Sequence, residues 1–176
     1  TSIIFLKGND YLISNLLMSL ALAFLIISLL MASIFKSLRM ILISIVPNII
    51  PLLFTAGIMG YFGVNFKPST VLVFSVAFGI AVDFSIHFLT KYKMELQLSN
   101  NISSAVKKVQ LEISNSMIYT AVILFFGFII FVFSDFGGTI ALGLFTALTL
   151  FIALLSNLIL LPSLLLSYDK AKSKKE

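Results

Sequence analysis

The chain has 176 residues, of which 60% are hydrophobic and 11% are charged, and its mean hydropathy is +1.13. Soluble domains are about 45–50% apolar, so this composition excludes an ordinary soluble domain and indicates a membrane protein. Cysteine is absent, which excludes a disulfide framework and a thiolate metal site. The net charge of +5 comes from lysines near the ends of apolar stretches. The placement of these charges therefore indicates how the protein is oriented in the membrane, and the net charge does not predict a nucleic-acid partner.

Five stretches are long and apolar enough to cross a bilayer, whose hydrocarbon core needs about 20 helical residues. They predict an all-α, polytopic membrane protein with five transmembrane helices. We expect a membrane domain at residues 11–168, between the end of an extracytoplasmic segment at 1–10 and a basic cytoplasmic tail at 169–176. The predicted spans cover about 13–35, 40–62, 69–90, 116–133 and 139–166.

The basic residues are divided unequally between the two sides of the predicted bundle. Lys and Arg in short loops favour the cytoplasmic side, because translocating them is unfavourable. Only Lys7 and Lys67 fall on one side, whereas ten basic residues fall on the other. We therefore predict that the N-terminus lies outside and the C-terminus in the cytoplasm. The ten residues are Lys36, Arg39, Lys91, Lys93, Lys107, Lys108, Lys170, Lys172, Lys174 and Lys175.

Residues 91–115 are predicted to form the loop between the third and fourth spans. Ser103 and Ser104 can cap a helix, and apolar residues follow them near helical spacing. This pattern predicts a short interfacial helix at about 103–113, with its lysines near anionic headgroups. A solvated loop is the alternative.

Asp83, in the third span, is the main departure from an apolar pattern. A carboxylate near the centre of a transmembrane helix costs about 2.5–3.5 kcal/mol. The short side chain cannot reach water from that depth, so we expect Asp83 to face the bundle interior or a water-filled pathway. The leading interpretation is a proton-relay acid; the alternative is a protonated Asp hydrogen-bonded to a neighbouring helix.

Three further polar residues are candidates for the same site. His87 lies one turn after Asp83 on the same helix face, so a proton could pass between them; an interfacial histidine is an equal alternative. Ser116 and Thr120 lie four residues apart in the fourth span and are candidate hydrogen-bond partners of Asp83. Equally, they could bond back to their own helix. One His and one Asp supply too few ligands for a metal site.

Small residues near Asp83 predict close helix packing. Gly79 lies four residues before the acid, and Ala77 and Ala81 are also four apart, so a neighbouring helix can approach closely here. A similar spacing occurs at Gly143 and Ala147 in the last span. For all of these residues, packing is the favoured interpretation.

Motifs along most of the chain follow one another in a recognisable order. Residues 79–87 read Gly-Ile-Ala-Val-Asp-Phe-Ser-Ile-His, and residues 46–63 begin with Val-Pro and end with Gly-Ile-Met-Gly-Tyr-Phe-Gly. Thr120, Gly127-Phe128, Ser134-Asp-Phe136, Gly143 and Leu161-Pro162 follow downstream. This ordered series resembles the RND superfamily of proton-driven exporters, particularly its MMPL-like and hydrophobe-exporter branches, which are related to sterol-sensing domains.

The resemblance implies an architecture larger than this chain. Each half of such a transporter has one helix, a large extracytoplasmic domain and then five helices, and this chain resembles the last five of the C-terminal half. The start at Thr1, without an initiator Met, agrees with a fragment. The implied partners are membrane lipids, a hydrophobic substrate, and the N-terminal half and extracytoplasmic domains of the parent. The implied location is the inner (cytoplasmic) membrane, as a multi-pass protein.

The resemblance also implies roles for individual residues. Asp83 would be the relay acid, with Thr120 and Ser116 nearby; protons would be the coupling ion, and no cofactor is expected. Phe84 stands where the family commonly has Tyr, so one hydroxyl that could support the relay is absent. Ser114 stands where a Gly often precedes the fourth helix. The partner acid would lie in the other half.

The predicted function is therefore the membrane domain of a proton-motive-force-driven exporter of lipids or other hydrophobic molecules, and not an enzyme. The alternative is a lipid sensor or scaffold like a sterol-sensing domain, which would not need an acid at mid-membrane. An intramembrane aspartyl protease needs two facing carboxylates. The predicted spans contain only one, Asp83.

Overall fold

The computed structural model is all-helical over the residues it describes. It gives the backbone of residues 2–35, 38–65, 67–99 and 101–173, and the side chains of 11–33, 40–65, 67–99 and 101–167. The helices are α1 (Ser2–Phe35), α2 (Leu38–Tyr61), α3 (Pro68–Ser99), α4 (Ile102–Ile129), α5 (Gly137–Leu155) and α6 (Leu161–Ser173). A 3₁₀ turn at Ile130–Phe133 ends α4, and a π-helical turn at Ser156–Leu160 joins α5 to α6.

Five helical segments in the described part of the chain are long and apolar enough to cross a membrane. The fifth segment runs from α5 into α6. This confirms the prediction of a five-span, all-helical protein. Helix α3 lies at the centre and contacts α1, α2, α4 and α5. In its most apolar stretch 56% of residues are buried, against 6% in α1 and 11% in α4. α1 and α4 are therefore peripheral helices that present wide apolar surfaces.

Two apolar clusters fill the bundle, one toward each end. The first joins the end of α1 and the start of α2, at Met31 and Met40, to Tyr92, Ala105 and Leu165. The second packs α2, α3 and α5 together at the opposite end. The end of α3, the start of α4 and α6 therefore meet at one end of the bundle. The lysines of the α3–α4 hairpin lie at that end.

The predicted loop at residues 91–115 is wrong. Helix α3 continues to Ser99 and α4 begins at Ile102, so the predicted helix at 103–113 is the first part of α4 and not a separate element. The cap is Asn101, whose Oδ1 accepts the backbone N–H of Ser104 at 3.2 Å. The helix continues because Ala105, Val106 and Val109 are buried there.

The hairpin of α3 and α4 is longer than a bilayer core. Helix α3 has 32 residues, which at a rise of about 1.5 Å per residue exceeds the roughly 30 Å of hydrocarbon. Part of each helix therefore extends beyond the core.

The helices extend into both of the predicted terminal segments, whose sides of the membrane stay predictions. Helix α1 begins at Ser2, so most of the predicted extracytoplasmic segment at 1–10 is helical, and α6 continues to Ser173. Lys36 and the last three residues of the predicted basic tail lie outside the described residues. The orientation of the termini stays a prediction.

Candidate functional site

Helix α3 carries exposed ionisable residues on one face and buried, uncharged residues on the opposite face. The side chain of Asp83 is 60% exposed and that of His87 is 69% exposed. Ala77, Ala81 and Ser85 are almost fully buried. Of the two places expected for Asp83, the interior of this five-helix bundle is therefore wrong, and a water-filled pathway stays a prediction. Because successive residues turn about 100° around a helix, the stripe that buries Ser85 directs Asp83 outward.

Asp83 and His87 form a pair on the outer face of α3. The Nε2 atom of His87 lies 3.4 Å from Oδ1 of Asp83. Residues four apart in a helix lie one above the other, so the spacing in the sequence leads directly to this contact. At 3.4 Å the two atoms lie slightly beyond the range of about 2.6–3.2 Å for direct proton transfer, so a small movement of either side chain would bring them within reach.

A groove of about 200 Å³ lies beside this pair, between α3 and α4. It brings together Asp83, His87, Ser116 and Thr120, which are the four residues predicted for the relay. Among the described residues, neither of the two hydroxyls hydrogen-bonds Asp83, so their partnership with it stays a prediction. The groove is lined by Asp83, Phe84, His87, Glu112, Ile113, Ser116, Met117 and Thr120.

The residues around the pair differ in their packing. Phe84 is only 2% exposed, so its ring belongs to the bundle core as well as to the groove wall. Ala77 and Ala81 are buried, in agreement with a packing role. Gly79 is exposed, and a Cβ added there would meet nothing within 4 Å. Its small surface is therefore not used for packing against the described residues of this chain.

Four charged residues join the C-terminal part of α3 to the N-terminal part of α4 by ion pairs. Lys91 Nζ lies 2.9 Å from Glu112 Oε2 and 3.4 Å from Glu95 Oε1. Lys108 Nζ lies 2.7 Å from Glu95 Oε2. Glu112 takes part in both features, because it binds Lys91 and lines the groove. Glu112 is not among the residues predicted for the site, because the prediction of a loop at 91–115 hides it. The four-residue spacing of Asp83, His87, Lys91 and Glu95 is the signal in the sequence that α3 continues.

The bundle interior holds a second polar site, made only of neutral side chains. Ser85 Oγ lies 2.6 Å from Oδ1 of Asn157 and 3.0 Å from Oδ1 of Asn48. Asn48 donates to the carbonyl of Ser44 at 2.8 Å, and Asn157 donates to that of Ala153 at 3.0 Å. These bonds connect α2 and α3 to the π-helical turn. In the sequence Asn48 lies between Pro47 and Pro51, which marks it as unusual, but Asn157 carries no local signal, since its position depends on the π turn.

A side chain of the same π-helical turn donates a hydrogen bond to a backbone carbonyl that lacks its usual helical partner because of a proline. Pro51 has no backbone N–H, so it cannot bond the carbonyl of Pro47 four residues earlier. Ser156 Oγ donates to this carbonyl at 2.8 Å. Gln110 of α4 reaches the turn from outside and donates to the carbonyl of Leu158 at 3.3 Å. Backbone groups freed by proline in membrane helices are commonly satisfied in this way by neighbouring helices.

Comparison with known proteins identifies the chain at the level of family. The family model described as the MMPL family matches residues 1–176, which is the whole chain. No curated protein matches it. The chain belongs to the MMPL family, and the predicted RND/MMPL-like membrane module is confirmed.

Proposed function

We propose that this member of the MMPL family is the membrane domain of a transporter in the cytoplasmic membrane that uses the proton gradient to export lipids or other hydrophobic molecules. Asp83 is the relay acid, and His87 exchanges protons with it. Ser116 and Thr120 supply hydroxyl groups on the opposite side of the groove. The observation that carries this proposal is the exposed Asp83–His87 pair on the outside of an otherwise apolar bundle.

An uncovered carboxylate on this surface would face lipid. At mid-membrane this costs about 2.5–3.5 kcal/mol even on the lenient scale, so a second protein element should cover the groove. The open space at Gly79, one turn from Asp83 on the same face, supports a close approach by that element. We therefore propose a second half of the transporter as the covering element, carrying its own acid opposite Asp83.

The proton gradient would then act at the junction of two bundles. One proton that moves down a potential of 100 mV releases about 2.3 kcal/mol. Protonation removes the charge of Asp83, which changes how strongly each arrangement of the two bundles is favoured. Rocking of one bundle against the other is the general way in which such transporters alternate their access. Phe84 brings no hydroxyl to the groove, so hydrogen bonds to Asp83 would come from α4 or from the second half.

The test is proton transport by the full-length protein that contains this chain, reconstituted in vesicles with a pH-sensitive dye inside. Asp83→Asn keeps the size of the side chain but cannot carry a proton, and we expect it to lower proton flux by about 100-fold. Asp135→Asn is the matched control, because Asp135 is exposed in the α4–α5 connection and does not line the groove.

Unchanged proton flux in Asp83→Asn would overturn the relay. If the wild-type protein binds lipid but moves no protons, and Asp83→Asn binds lipid equally well, the chain is a sensor or scaffold and not part of an exporter.

A further inference from the structure

The groove and the ion pairs beyond it belong to one polar ladder. On α3, Asp83, His87, Lys91 and Glu95 follow at intervals of four, and on α4, Lys108, Glu112, Ser116 and Thr120 do the same. The helices are antiparallel, and the contacts of Lys91 with Glu112 and of Glu95 with Lys108 fix their register. In that register Ser116 falls opposite His87 and Thr120 opposite Asp83. The ladder therefore runs from the charged end of the hairpin to the relay acid.

We propose that Glu112 is the acid through which protons pass between the charged end of the hairpin and the Asp83–His87 pair. This inference rests on the proposed function, since it assigns the access route to the same site. Glu112 lines the groove together with both members of the pair. Its side chain is 41% exposed, so water can reach it.

The ion pairs distinguish Glu112 from its neighbour Glu95. Glu95 has a side chain that is only 6% exposed, and it contacts both Lys91 and Lys108. Its charge is therefore needed to compensate two ammonium groups. Glu112 contacts Lys91 alone among the described residues, and Lys91 keeps Glu95 as a partner when Glu112 is neutral. Glu112 can thus accept a proton without leaving a lysine unpaired.

In this transfer, only bonds to the moving proton form and break. A hydronium ion at the Lys91 end gives a proton to the Glu112 carboxylate and leaves as water, and Lys91 then remains with Glu95. The neutral Glu112 releases this proton to the imidazole of His87 or the carboxylate of Asp83, and its restored carboxylate pairs again with Lys91. Glu112 and the pair line the same groove, which is large enough for several water molecules, so water there can carry the proton between them.

The experiment compares Glu112→Gln and Glu95→Gln in the full-length protein in dye-loaded vesicles. Both changes remove one carboxylate from Lys91, but only Glu112 lines the groove. We expect Glu112→Gln to lower proton flux by about 10-fold or more, and Glu112→Asp to restore most of it. Glu95→Gln should lower flux less than Glu112→Gln, once flux is divided by the amount of folded protein, because it leaves Lys91 with Glu112 as its one ion-pair partner among the described residues but keeps the carboxylate that lines the groove. Asp135→Asn serves as a second control if Glu95→Gln folds poorly.

The possible results separate this inference from the proposed function. If Asp83→Asn abolishes proton flux and Glu112→Gln does not change it, Glu112 is not on the route, and the relay stands. If Glu112→Gln, Glu112→Asp and Glu95→Gln all lower flux equally, the ion pairs only hold the hairpin together and the inference fails. If Asp83→Asn retains wild-type flux, the proposed function itself fails.

Discussion

Asp83 and Ser85 lie two residues apart on α3, yet their side chains face opposite sides of the helix. The side chain of Asp83 is 60% exposed, whereas Ser85 is fully buried between Asn48 and Asn157. A buried neutral hydroxyl or amide is stable once hydrogen-bonded, but a buried carboxylate also needs a compensating charge. The bundle thus joins α2, α3 and the π-helical turn with neutral polar groups. It leaves the acid on the surface, where a second element can reach it.

The bond between Ser156 and the Pro47 carbonyl gives a prediction for stability. Ser156→Ala should lower the free energy of unfolding by about 1 kcal/mol, because it removes the hydroxyl that donates to this carbonyl. In a Pro51→Ala background the new backbone N–H at position 51 can donate instead, so the same change should cost clearly less. The measurement is a double-mutant cycle on unfolding in detergent. Ser19→Ala, which removes a hydroxyl from an exposed position of α1, is the control. Equal costs in both backgrounds would contradict the assignment.

Close packing at Gly143 gives a second prediction. A Cβ at this position would lie 2.5 Å from the carbonyl oxygen of Phe128 and 2.6 Å from Cβ of Phe131. Gly143→Ala should therefore destabilise the protein by about 1–3 kcal/mol, as overpacking of a close contact does. Gly127→Ala is the matched control, because a Cβ there meets nothing within 4 Å. Thermal unfolding of the two variants in the same detergent checks the difference, and similar melting temperatures would refute it.

The five spans could be predicted from the sequence because their cause is local. A helix must be long and apolar to cross a bilayer, and both properties can be read from a window of residues. The hairpin of α3 and α4 could not be delimited in this way, since Lys91, Glu95, Lys108 and Glu112 resemble a solvated loop in composition. They are helical because apolar residues between them, such as Val106 and Val109, are buried and because their charges pair between the two helices. That pairing depends on a register that exists only after the hairpin has formed.

The proximity of the four predicted residues of the candidate site could be inferred from the sequence, but the direction in which Asp83 faces could not. The four-residue spacing placed His87 beside Asp83, and Ser116 and Thr120 do line the same groove. The outward direction of Asp83 could not be inferred, because the sequence of one helix does not show which of its two polar faces the other helices cover. The position of Asn157 was also hidden. It depends on the π turn, which shifts the helix face presented to the bundle.

The open surface at Gly79 gives a prediction that concerns the second half. Gly79→Leu should leave the stability of the five-helix bundle almost unchanged, because no atom lies within 4 Å of the new Cβ. It should lower proton-coupled transport by the full-length protein several-fold, since the leucine would occupy the face that carries Asp83. Gly57→Leu is the control, because Gly57 of α2 is equally open but lies on a different helix. Transport by Gly79→Leu at the level of the control would indicate that nothing packs on this face.

The orientation of the bundle gives the last prediction, and the absence of cysteine from this chain makes it direct to test. Asn101, between α3 and α4, and Asp135, between α4 and α5, are exposed at opposite ends of α4. Because most basic residues lie at the Asn101 end, the positive-inside rule places that end in the cytoplasm. With a membrane-impermeant maleimide on intact cells, Asp135→Cys should react, whereas Asn101→Cys should react only after permeabilisation. The reverse pattern would place the N-terminus in the cytoplasm, and Glu112 would then face the extracytoplasmic side of the proton route.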